Sequence, residues 1–178
     1  MKVLVACEDH TNDRFIVKPI VEQAVRDWHA TPRVAVVSDP RLRGIDELLA
    51  MIPTIASMYP ASMFSRIIVV ADHDGGHKNN RDRLADAVRC DARLIPCCAV
   101  EEIETWMLAL YRSEFGPWKQ VREDVNAKAL AASFLQERFR GPGHGRKAAM
   151  RVLDRTSWTT LKQLCPELAE LSAALTPA

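Results

Sequence analysis

The fold class this sequence predicts is α/β: a mainly parallel, four-stranded sheet with helices on both faces, followed by a helical C-terminal extension. Three observations carry it. Four short apolar segments, Lys2–Cys7, Arg33–Ser38, Arg66–Ala71 and Ala92–Cys97, alternate with stretches of helical periodicity up to about residue 112. Such alternation calls for crossover helices between parallel strands. Beyond residue 112 the periodicity is helical only.

The first strand, Lys2–Cys7, runs into polar Glu8-Asp9-His10-Thr11-Asn12-Asp13. A helix is predicted from about Asp13 to His29, with Ile16, Ile20, Val21, Ala24, Val25 and Trp28 at helical spacing and Thr11 or Asn12 as its cap. Asp39-Pro40 ends the second strand, and Ile45–Tyr59 reads as a helix bent or interrupted at Pro53. After the third strand come a polar surface helix over Asn79–Cys90, the fourth strand, and a helix over Val100–Tyr111. Three further helices are predicted, Val125–Phe139, Arg146–Thr156 and Thr160–Ala174, with a loop at Gly141-Pro142-Gly143-His144-Gly145 between the first two. The chain therefore divides into an α/β core over residues 1–112 and a helical extension over 113–178 that packs on it. Trp28, Trp106 and Trp158 fall among apolar neighbours and are expected in the core. Trp118, after Gly116-Pro117, is expected either to pack or to stand exposed for stacking on a base.

Composition narrows the function classes. Of 178 residues, 48% are hydrophobic and 26% charged, which excludes a disordered or fibrous chain. A net charge of +1 leaves any nucleic-acid binding to a local patch. The five cysteines, Cys7, Cys90, Cys97, Cys98 and Cys165, have no framework spacing and no paired CxxC motifs. They are expected to be reduced core residues in a cytoplasmic protein, with no zinc site. The chain opens directly on a strand, so no signal peptide is expected. No apolar run approaches the ~18 residues of a membrane span.

The segment Ile67-Ile68-Val69-Val70-Ala71-Asp72-His73-Asp74-Gly75-Gly76 ends a buried strand in two carboxylates, and two glycines then allow a tight turn. Carboxylates at the carboxyl end of such a strand sit where α/β folds place ligands. Close together they repel unless a cation or proton intervenes, which points to a divalent metal. The alternative is an Asp-rich turn that caps the next helix. Glu8 and Asp9 follow the first strand in the same way, and all strand carboxyl ends share one edge of a parallel sheet. Asp9 also reads as an acid complementing a helix dipole. Glu101, Glu102 and Glu104 open the helix after strand four. Dipole complementation explains them simply, yet Glu104 beside Trp106 is hard to read as a solvated charge, so Glu101 or Glu104 is a candidate for the acidic edge.

A first-strand glutamate, a later strand ending Asp-x-Asp and a parallel α/β sheet resemble the Toprim domain, the Rossmann-like catalytic module of topoisomerases, primases and the overcoming-lysogenization-defect nucleases. Glu8 matches the family glutamate, and Asp72 and Asp74 match its Asp-x-Asp pair. Asp9-His10 stands where the family often has glycine. The segment Val100-Glu101-Glu102-Ile103-Glu104-Thr105-Trp106-Met107-Leu108-Ala109 further resembles a group of small bacterial Toprim-like proteins, some encoded near anti-phage defence genes. The resemblance covers roughly residues 1–112. It implies nuclease or related phosphoryl-transfer activity on DNA or RNA, assisted by Mg²⁺ or Mn²⁺. Asp72 and Asp74 then hold metal, and Glu8 is either a ligand or a general acid/base.

Phosphate chemistry also needs cations. His77, Lys78 and Arg81 follow the acidic pair closely, with Arg83 behind them, and Arg146 and Lys147 follow the glycine-rich loop. The plain alternative for each group is a solvated basic surface. His73, between the two aspartates, is expected to point away from them if strand alternation persists. Two other readings compete: a haloacid-dehalogenase-like phosphatase with Asp72 as nucleophile, and a catalytically inactive metal-binding or regulatory module. A chain of this size, without an ATPase or other recognition domain, is expected to work with a protein partner such as an ATPase subunit, or as a homodimer.

Overall fold

A computed structural model of the chain describes residues 1–73 and 79–176, apart from the side chains of residues 142–144. Strands β1 (Lys2–Cys7), β2 (Arg33–Val36), β3 (Arg66–Ala71) and β4 (Leu94–Cys98) form one all-parallel sheet in the order β2-β1-β3-β4. Among the described residues nine α-helices surround it: α1 (Arg14–Arg26), α2 (Ile45–Met58), α3 (Asn80–Ala87), α4 (Glu104–Ala109), α5 (Trp118–Arg122), α6 (Ala127–Phe139), α7 (Pro142–Ala149), α8 (Arg155–Leu164) and α9 (Pro166–Ala174). The architecture is α/β, consistent with a Rossmann-like fold. No helix among the described residues is long and apolar enough to cross a membrane.

Strand alternation splits the core into two layers. Val3, Val5, Cys7, Ile68, Val70, Ile95 and Cys97 lie on the face of the sheet that carries α1, whereas Leu4, Ala6, Ile67, Val69, Ala71 and Leu94 lie on the face that carries α2 and α3. Right-handed crossovers explain this division. The step from β1 to β2 runs one way across the sheet and the next two steps run the other way, so α1 lies on one face and α2 and α3 on the opposite one. The α1 face over β3 and β4 would then be bare. Trp106 of α4, Leu135 of α6, Trp158 and Leu161 of α8 and Leu168 of α9 fill it.

Several boundaries differ from the sequence expectation. Helix α1 begins one residue later than expected, and its N-cap is Asp13 in place of Thr11 or Asn12; the Asp13 carboxylate turns back to the preceding loop to accept the Asp9 N–H at 3.0 Å. Helix α2 continues through Pro53. The expected helix over residues 100–111 shortens to six residues, so Glu101 and Glu102 precede it. The glycine-rich segment expected as a loop is the start of α7, with Pro142 pre-set for a first helical turn. The predicted helices at 146–156 and 160–174 are cut differently. A capping box at Asp154 and Ser157 starts α8, and Pro166, which disfavours helical backbone at Cys165, separates α8 from α9.

Trp106 and Trp158 are fully buried as expected, but Trp28 is 44% exposed because it closes the end of α1 by donating to the Ser172 carbonyl. Trp118 opens α5, half-buried, and donates to the Leu164 carbonyl. Cys7, Cys97 and Cys165 are buried, whereas Cys90 is exposed and Cys98 half-buried.

Candidate functional site

Two adjacent strand ends build the site. Cys7 pairs with Val70 in the β1–β3 register, so Glu8 and Asp72 leave the sheet side by side. Strand order reverses between β1 and β3, the position at which open α/β sheets form a crevice for ligands. The Asp72 N–H donates to Glu8 Oε1 at 3.0 Å and ties the two ends together. Asp72 Oδ1 accepts the Ile103 N–H at 2.8 Å, satisfying a donor that α4 leaves open at its start. Backbone bonds from Ala99 to the Ala71 carbonyl and from His73 to the Glu101 carbonyl fasten the turn before α4 to the end of β3.

A cavity of about 340 Å³ opens over these residues. Glu8, Asp9, Asp13 and Asp72 supply its carboxylates, and Arg41, Arg43, Lys128 and Arg146 its cations. Burial drives the Asp72 carboxyl well above the ordinary aspartate range. Adjacent Glu102, which is hydrogen-bonded to it, and then Glu8 and Glu104 push the same way. Lys128 answers this crowding, with Nζ 3.3 Å from Glu102 Oε2 and 4.0 Å from Asp72 Oδ2. Its partial burial opposes ionisation, but Glu102, Glu104 and Asp72 outweigh burial and hold the ammonium charged. Asp13 is pushed up to about 7, chiefly by burial, with Glu104 and Asp9 adding to it. Asp9 moves the other way. Its burial opposes ionisation, yet hydrogen bonds from Asn12 and Thr11 lower it.

Glu104 is 1% exposed and binds Arg146 Nη2 through Oε1 at 2.7 Å. The contact is one-armed: Glu104 Oε2 and Arg146 Nε are both buried without a hydrogen-bond partner among the described residues. An unsatisfied buried carboxylate oxygen is costly, and here it lies at the back of a pocket rich in acids.

The expected site residues thus divide. Glu8, Asp72 and Arg146 meet in the cavity, with Glu104 behind Arg146. Glu101 adjoins the site through its carbonyl, and Glu102 is the neighbour that reaches Asp72. Arg81 pairs with Glu170 at 3.2 Å and, with His73, lines a different cavity. Lys147 lines a second groove, whereas its neighbour Arg146 lines the acidic pocket. Asp74, His77 and Lys78 lie outside the described residues. Sequence reasoning missed Lys128, Glu102, Asp13, Arg41 and Arg43. Two of these carry a local signal, Glu102 by its place in the Glu-Glu-Ile-Glu run and Asp13 by its place in the polar run after the first strand.

The donor chemistry suits a hard divalent cation. Glu8 and Asp72 offer paired carboxylate oxygens, and the crowding that raises Asp72 is what a cation relieves. Among the described residues no three acidic, histidine or cysteine side chains close on one point as a complete cage. No family model, curated protein or solved structure matches this chain.

Proposed function

We propose that this chain is a Toprim-like, Mg²⁺- or Mn²⁺-dependent nuclease or related phosphoryl-transfer enzyme acting on nucleic-acid phosphodiesters. The observation that carries this reading is the joined pair of Glu8 and Asp72 at the switch point of a parallel sheet, inside a pocket that also holds four cations. Glu8 and Asp72 hold the ion, with Asp74 as the further ligand that the family resemblance implies. The bound ion supplies charge neutralisation on the phosphate and a more acidic water.

The protein's own groups do the remaining work. Ile103 N–H fixes Asp72 Oδ1, so the carboxylate presents Oδ2 towards the pocket. Asp72 N–H fixes Glu8 Oε1 in turn. Arg41 and Arg43, both exposed at the pocket rim, are placed to receive the flanking phosphate oxygens. In hydrolysis the water oxygen bonds to phosphorus and gives up a proton, the bridging P–O bond breaks with its electron pair going to the leaving oxygen, and that oxygen takes up a proton, so that water is divided between the two products.

A second reading, an inactive metal-binding or regulatory module, is favoured by one observation: Lys128 already brings a positive charge to Asp72 and Glu102. Cleavage assays on plasmid and single-stranded substrates with Mg²⁺ or Mn²⁺ separate the two. Metal-dependent cleavage that drops about 100-fold or more in both Glu8→Gln and Asp72→Asn supports the nuclease. Full cleavage in either variant removes that residue from the mechanism. Metal binding without cleavage in the wild type supports the module, and phosphate trapped covalently on Asp72 supports a phosphatase.

A further inference from the structure

A second cavity, of about 600 Å³, lies beside β2 between the start of α1 and the end of α7. Its size falls in the ~300–1,000 Å³ range of ligand sites. Phe15, Pro19, Val36 and Met150 form an apolar floor. The titratable lining, His10, Arg14, Lys18, Lys147 and Arg151, contains no carboxylate. Among the ion pairs of the described residues, Lys18 alone of these has an acidic neighbour, Glu22 at 4.0 Å. Arg14 lies over the Phe15 ring, 4.7 Å from its centroid, which sets a flat, charged stacking element in the wall.

This groove shares a wall with the acidic pocket. Along the segment after β1, Glu8, Asp9, Asn12 and Asp13 line the acidic pocket, whereas His10 and Arg14 line the groove. On α7, Arg146 faces the pocket and its neighbour Lys147 the groove.

We propose that the groove binds an unpaired polynucleotide strand, with a base on the apolar floor and flanking phosphates on Arg14, Lys147 and Arg151, and leads that strand across the shared wall into the acidic pocket. The inference rests on reading the pocket as a phosphodiester site, but its strand preference comes from the groove alone. A duplex keeps its bases stacked inside and has no use for an apolar floor; an unpaired base does. The cations come from both α1 and the region around α7, a spread that suits several phosphates better than one.

Fluorescence anisotropy of the full chain in chelator, with labelled oligo(dT) and oligo(U), tests this without requiring cleavage. Both or either oligomer should bind, and an unlabelled duplex or mononucleotide should compete at least about tenfold less well. Reversing Arg14, Lys147 and Arg151 together to glutamate, all exposed positions, should weaken binding at least about tenfold and, by removing three phosphate contacts at ~0.7 each on a single strand, make the log–log salt slope shallower by about 2. Alanine versions with an unchanged melting temperature guard against a folding defect. Equal competition by duplex or mononucleotide, or wild-type affinity in the charge-reversed protein, overturns the proposal. If strand binding is seen without metal-dependent cleavage, the groove stands and the nuclease reading falls. Cleavage without strand binding overturns the groove alone.

Discussion

The Asp72 carboxylate serves different neighbours with its two oxygens: Oδ1 accepts the Ile103 N–H, and Oδ2 faces Lys128. That separation makes its structural and chemical roles distinguishable. Asp72→Asn keeps an acceptor for Ile103 and removes one of several crowded acids, so its melting temperature near neutral pH should equal or exceed that of the wild type. Asp72→Ala leaves the Ile103 N–H buried and unpaired and should cost about 1–3 kcal/mol. Thermal denaturation of the two variants checks this, and a loss of stability in Asp72→Asn comparable to that in Asp72→Ala would contradict it. Lys128 supplies the next test. Its side chain is largely solvent-exposed, so Lys128→Met should change basal stability by less than about 1 kcal/mol. The same change deprives Asp72 and Glu102 of their resident cation, so added Mg²⁺ or Mn²⁺ should raise the melting temperature more in this variant than in the wild type. An equal or smaller metal response would place Lys128 outside the site's charge balance.

At the level of elements, Gly145 reverses a sequence expectation. In a flexible loop, Gly145→Ala should stabilise by restricting the unfolded chain. In α7, however, an added Cβ would meet Leu135 Cδ2 at 3.2 Å, Leu135 Cβ at 3.3 Å and Phe139 Cβ at 3.4 Å. Crowding of about 1–3 kcal/mol then outweighs the ~1 kcal/mol helix-propensity gain, and the variant should melt lower. A higher melting temperature would contradict the close α6–α7 contact. The same contrast explains what sequence could and could not reveal. Strands β1 and β3 and the acids at their ends were legible because a period-two or continuous apolar run followed by polar residues is a local pattern. The glycines before Arg146 also form a local pattern, but the reason for Gly145 is close packing against Leu135 and Phe139 of α6, which no local window contains. Lys128 and Arg146 reach the acidic cluster only because α6 and α7 fold over the sheet, so their roles depend on tertiary structure. Trp28 reads as a core residue by spacing, yet it lies just past the end of α1, with its ring at the surface and its Nε1–H tied to the Ser172 carbonyl.

On the scale of the whole molecule, one carboxylate joins the first βα unit to the C-terminal helices. Asp27, just past α1, accepts from Arg155 at 2.8 Å, Trp158 at 2.9 Å, Lys162 at 2.9 Å and Ser172 at 2.5 Å. Burial opposes its ionisation, but the bonds from Ser172, Trp158, Lys162 and Arg155 outweigh that and hold it at about 2. A depressed acid stabilises the fold fully above its unfolded value near ~3.9 and loses that contribution as pH falls through the folded value. Asp27→Asn should therefore cost about 2 kcal/mol at neutral pH, and the gap to wild type should close between about pH 4 and pH 2. Denaturant melts across that range measure it, and a gap that persists undiminished at the acid end would contradict the clasp. This clasp ties α8 and α9 to the end of α1, whereas α6 and α7 carry Lys128 and Arg146 to the strand ends. Joint binding of a divalent ion by Glu8 and Asp72 at the β1–β3 switch point can be seen by anomalous diffraction from crystals soaked in Mn²⁺. A single strong peak is expected within ligand distance, roughly 2.0–2.6 Å, of oxygens from both residues, lost in Asp72→Asn. A peak elsewhere, or none at saturating Mn²⁺, would contradict it.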